Sequence, residues 1–104
     1  MRKKIFWPNN KHFAFTIFDD TDRANLKENQ LVYDFLNELG FKTTKSVWIS
    51  KGEHHARDVG ITCADTSYLN WLLSLKNKGF EIGYHGTTSH TSCRQETENG
   101  LKKF

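Results

Sequence analysis

Hydrophobic and polar positions fall in blocks along the chain, and each block has its own period. Residues 12–18 read His-Phe-Ala-Phe-Thr-Ile-Phe, aromatic and β-branched, the composition of a buried strand. That run stops at Asp19-Asp20-Thr21-Asp22. From about Leu26 to Leu39 the apolar positions are Leu31, Val32, Phe35, Leu36 and Leu39, one stripe of a helix that Gly40 terminates. A second strand lies within residues 41–49, strongest at Ser46-Val47-Trp48-Ile49, and a polar loop with Gly52 and Gly60 follows to Ala64. Asp65 or Thr66 caps a second helix carrying Tyr68, Leu69, Leu72, Leu73 and Leu75, stopped by Gly79. Residues 80–84 form a third short strand. After a loop over 85–91, Ser92 and Gln95 make a capping box for a third helix with the stripe Cys93, Thr97, Leu101 and Phe104.

The pattern thus predicts strands near 12–18, 46–49 and 80–84, and helices near 26–39, 66–78 and 92–104. Strands alternating with helices at this spacing give an α/β fold, parallel β-α-β-α-β-α with right-handed crossovers. The third helix runs to Phe104 with no stop signal, so the chain reads as a single, incomplete domain. Its unfinished sheet edge is expected to favour self-association.

Composition narrows the functional classes. The 104 residues are 37% hydrophobic, 13% aromatic and 26% charged, which is globular rather than disordered. The net charge of +3 is small, and its basic runs at 2–4 and 102–103 sit at the two ends, so nucleic acid is not an expected partner. No apolar run approaches the ~20 residues of a membrane span. The apolar stretch Ile5-Phe6-Trp7 stops at Pro8, too short for a signal-peptide core, so the expected location is cytoplasmic. Cys63 and Cys93 form no Cys-x-x-Cys pair and are expected as reduced, ordinary residues.

In parallel α/β folds the reactive groups gather at the carboxyl ends of the strands. Here those ends deliver Asp19 and Asp20, then Ser50 and Lys51, then His85, with His90 five residues further on. Either pair alone reads as helix-capping aspartates or solvated histidines. Their joint placement points to chemistry instead. Two imidazoles and a carboxylate hold catalytic zinc and related metals with open positions, and a second carboxylate that does not ligate can take a proton from bound water. Arg94, opening the third helix, is a candidate contact for a polar or anionic substrate group. His54 and His55 read as exposed loop residues, Trp48 and Trp71 as packing residues, and Tyr84 as pointing away from His85.

At these residues the chain resembles a family. Phe15-Thr16-Ile17-Phe18-Asp19-Asp20 resembles the first motif of the polysaccharide deacetylases (the NodB-homology domain, carbohydrate esterase family four). The segment from Gly79 to His90, Gly-Phe-Glu-Ile-Gly-Tyr-His-Gly-Thr-Thr-Ser-His, resembles the second. The resemblance implies a distorted (β/α) barrel, of which this chain matches the first three units. It implies Asp19 as general base and Asp20, His85 and His90 as ligands of a divalent metal, zinc first, with cobalt and nickel as alternatives. The implied reaction is hydrolysis of an N-acetyl group on a carbohydrate by metal-activated water. The family spaces its histidines one residue closer and has glycine where Thr21 stands, which leaves Asp22 as a further ligand or base. The family's later motifs, with an arginine that orients the base and a histidine general acid, lie beyond residue 104.

Two other readings stay open. One is a non-catalytic or inactive metal-binding fragment of such a domain. The other is a haloacid-dehalogenase-type phosphatase, whose first motif Asp20-Thr21-Asp22 also resembles and which binds Mg²⁺, although it gives His85 and His90 no role.

Overall fold

The computed structural model describes residues 3–52, 58–90 and 93–104. After a short turn at Pro8–Asn10 the elements are β1 (Phe18–Asp19), α1 (Leu26–Glu38), β2 (Thr44–Trp48), α2 (Thr66–Asn77), β3 (Glu81–Gly86) and α3 (Arg94–Lys103). The strands form one sheet in the order β1-β2-β3, and both pairings are parallel. The α/β fold with β-α-β-α-β-α order is therefore as the pattern predicts. Its two outer strands are sheet edges, the feature on which the expectation of self-association rests.

Local chemistry sets the helix ends. The Asn25 side chain accepts from the Glu28 N–H, and the Asp65 side chain accepts from the Tyr68 N–H. Gly40 and Gly79 stand at φ +73° and +91°, so each helix closes in a left-handed turn. There the next residue's N–H bonds back into the last helical turn, Phe41 to the Leu36 carbonyl and Phe80 to the Leu75 carbonyl.

Three details differ from the pattern. The strand expected over 12–18 shrinks to Phe18–Asp19, with Phe13 and Phe15 exposed. The reason is register: Phe18 pairs with Thr44, the first residue of β2. Residues 12–17 would need partners at 38–43, and that stretch holds the end of α1, its glycine turn and three residues outside any strand. On α1 the expected stripe is largely outside, for Leu31, Val32, Phe35 and Leu39 are exposed, and only Leu36 packs against the core. Tyr33 takes the buried face, because its ring meets both Trp71 and Phe80 edge-on while its hydroxyl reaches Asp19. On α3 Leu101 is exposed and Gly100 is buried, since only a residue without Cβ fits against Thr87. The expected cap Ser92, like His54 and His55, lies outside the described residues.

Core residues Tyr33, Val47, Ile49, Tyr68, Trp71, Leu72, Leu75 and Phe80 join α1 and α2 to one face of the sheet. Tyr84, the cross-strand neighbour of Val47, packs its ring edge-on to Phe104 at 5.7 Å. The two crossover helices α1 and α2 thus cover one face, as right-handed crossovers between neighbouring strands require. Trp48 and Trp71 are buried, and Cys63 and Cys93 are free thiols. Among the described residues no helix is long and apolar enough to cross a membrane.

Candidate metal centre

The site is built at the carboxyl ends of the three strands. Asp19 and Asp20 leave β1 in different directions, as consecutive residues of an extended chain do. Asp19 turns under the sheet end: its Oδ2 accepts from the Tyr33 hydroxyl at 2.9 Å and lies 3.1 Å from the Lys45 ammonium. Asp20 turns outward, with Oδ1 3.0 Å from His85 Nε2 and 3.2 Å from the Asp22 backbone N–H that it accepts.

His85 arrives there through an irregularity in β3. Val47 pairs with Tyr84 and Trp48 with Gly86, so His85 is an extra residue in the ladder. Such a bulge re-aims one side chain without ending the strand. The indole of Trp48 then backs the imidazole edge-on, with ring centroids 5.7 Å apart. Tyr84 points away from His85, toward α3, where its hydroxyl meets the Thr87 hydroxyl at 2.7 Å.

Asp22 completes a cluster. One ligand atom from each of Asp20, Asp22 and His85 lies within 4.8 Å of the others, and all three residues are exposed. The donor set fits a divalent ion. Tetrahedral ligands about 2.0–2.1 Å from zinc stand roughly 3.3 Å from one another, close to the Asp20–His85 separation. One nitrogen and two carboxylate oxygens also suit a borderline metal better than an all-oxygen ion.

The structure brings Asp20 and His85 together as expected and adds Asp22 to them. His90 is not a member of that cluster. Its Nδ1 lies 3.1 Å from the Thr88 hydroxyl and its Nε2 3.7 Å from the Glu96 carboxylate, with the ring against Gly52. Both histidines nevertheless line one pocket of about 540 Å³, which also holds Asp22, Trp48, Thr88 and Ser89. Arg94 is exposed on the first turn of α3 and is not part of that pocket. A separate apolar groove of about 570 Å³, between α2, α3 and the sheet, contains none of these groups.

Lys45 and Tyr33 are the residues that sequence reasoning missed. A signal for Lys45 was available, since a lysine inside Thr-Lys-Ser-Val-Trp, a strand buried along its whole length, requires a charged partner. Burial, reinforced by the neighbouring Asp19 carboxylate, pushes the Tyr33 phenol well above its ordinary range. The protonated hydroxyl is the donor in its bond to Asp19. No family model, no curated protein and no solved structure matches this chain.

Proposed function

We propose that the protein is a cytoplasmic, metal-dependent hydrolase that removes N-acetyl groups from a carbohydrate. The observation that carries this reading is the separation of two adjacent aspartates. Asp20 faces His85 and Asp22 in a cluster suited to a metal, while Asp19 is held apart from it by Lys45 and Tyr33. Amide hydrolysis of this kind needs that division, one carboxylate to bind the ion and one to take a proton. Zinc held by Asp20, Asp22 and His85, with cobalt or nickel as substitutes, would supply a Lewis-acid charge beside the scissile carbonyl. In this reading Asp22 takes the third position that the family resemblance gives to His90. His90 stays on the pocket wall with Thr88, where a sugar can be hydrogen-bonded. The two unpaired thiols accord with a reducing compartment.

Calorimetric titration with zinc tests the metal half of the proposal. The chain should bind zinc, and Asp20→Ala or His85→Ala should weaken binding by about tenfold or more, while Asp19→Asn leaves it nearly unchanged. Acetate release from N-acetylglucosamine oligomers tests the catalytic half, and Asp19→Asn should lower it by on the order of 100-fold. Absence of zinc binding would sink the reading. Zinc binding without acetate release would favour a non-catalytic metal module.

The convergence of Asp20 with Asp22 favours a second reading, the phosphatase with Mg²⁺. It predicts preference for Mg²⁺ over zinc and hydrolysis of phosphate esters instead of amides.

A further inference from the structure

We propose that Lys45 and Tyr33 are positioning residues that keep Asp19 out of the metal's coordination shell. The inference rests on the metal-dependent reading above. A free carboxylate one residue from Asp20 would be drawn onto a divalent ion, and the two aspartates would then share it. Strand alternation turns Asp19 away from Asp20, and what holds it there is built into the strand register. Lys45 stands directly opposite Asp19 in the β1-β2 ladder, with its side chain 0% exposed. Its ammonium lies 3.1 Å from Asp19 Oδ2 and donates to the Asp20 backbone carbonyl at 3.3 Å. Tyr33 donates to the same Oδ2 from α1, and Ser46 donates to the Asp19 carbonyl at 2.6 Å, fixing the main chain between the two carboxylates. If Asp19 swung toward the metal, a fully buried ammonium would lose its carboxylate partner, and such a charge is among the least tolerable groups in a protein interior. Both restraints fall on Oδ2, which leaves Oδ1 as the oxygen available for chemistry.

A double-mutant cycle in zinc affinity tests the proposal on the full chain, read by calorimetry at one pH. Asp19→Asn is made in the parent and in Lys45→Met/Tyr33→Phe. In the parent it should change the dissociation constant by less than about threefold. In the double variant, where Asp19 is free to ligate, it should weaken zinc binding by about tenfold or more. Lys45→Met alone strengthens cation binding by removing a positive charge, and the cycle cancels that effect. Cobalt adds a spectroscopic signature: an extra carboxylate ligand raises the coordination number and dims the visible bands in the double variant only.

Asp19 is 37% exposed, so it remains solvated when its partner is lost. Far-ultraviolet circular dichroism confirms the folding of every variant. Asp19→Asn beside Lys45 removes the counter-charge of a buried ammonium and leaves it the amide oxygen and the Asp20 carbonyl. If that variant does not fold, the cycle runs between Lys45→Met and Lys45→Met/Tyr33→Phe; if Lys45→Met does not fold, Tyr33→Phe alone carries it, each with coupling of smaller size. Additive effects of the substitutions, with zinc bound throughout, would overturn the positioning role and leave the functional reading standing. A parent chain that binds no zinc would overturn both.

Discussion

Gly100 decides how closely α3 approaches the histidine-bearing loop. A Cβ placed there would fall on the Thr87 Oγ1 and lie 2.8 Å from Thr87 Cγ2 and 2.9 Å from Thr87 Cβ. Rotating the threonine cannot clear the clash, because its own Cβ is one of the obstructing atoms. Gly100→Ala must therefore push α3 outward or bend it. On helix propensity alone the substitution stabilises by about 1 kcal/mol. Overpacking a tight contact costs about 1–3 kcal/mol. The displacement also strains a short chain in which Tyr84 and Thr87 share a hydrogen bond and Thr87 donates to the Glu96 carbonyl at 3.3 Å, a further loss of about 1 kcal/mol. The net expectation is a destabilisation of about 1–3 kcal/mol. Urea unfolding followed by circular dichroism measures it, as a lower midpoint with an unchanged slope. Thr87→Ala in the same chain removes two of the three obstructing atoms and should restore part of the loss. A Gly100→Ala protein as stable as the parent, or more so, would refute the packing argument and with it the docked position of α3.

Two further predictions follow from buried side chains. Burial pushes the Tyr33 and Tyr68 phenols above their ordinary range, so the folded chain holds these protons more tightly than the unfolded one. That contribution is complete below about pH 10 and falls as pH rises beyond it, by about 2.7 kcal/mol per pH unit for two phenols. Tyr33→Phe should roughly halve the slope in urea unfolding between pH 10 and 11, and a stability flat across that range would contradict the assignment. Burial likewise raises the Cys63 thiol, whereas Cys93 is exposed. Iodoacetamide at pH 8 should therefore modify Cys93 faster by about tenfold or more, as peptide mass mapping would show, and equal rates would count against a half-buried Cys63.

Much of this protein was determined by local sequence. Alternating strand and helix periods fixed the element order, and glycines at 40 and 79 ended helices because a residue without Cβ takes the left-handed turn without steric cost. Acidic residues after the first strand and a histidine at the third were bound for the same edge of the sheet, since parallel strands bring their carboxyl ends together. Quantities that depend on register and on competition between faces were decided only in three dimensions. Pairing Phe18 with Thr44 cut the first strand short and set Lys45 opposite Asp19, a relation between residues 26 positions apart that neither segment encodes alone. Tyr33, not the apolar stripe of α1, took the buried face, because its ring meets Trp71 and Phe80 and its hydroxyl reaches Asp19, whereas four side chains of the stripe are left exposed among the described residues. The bulge at His85 aimed that imidazole at Asp20 and let Asp22, rather than His90, complete the cluster. Residue types announce which groups a site has, but the backbone's path through space decides which of them touch.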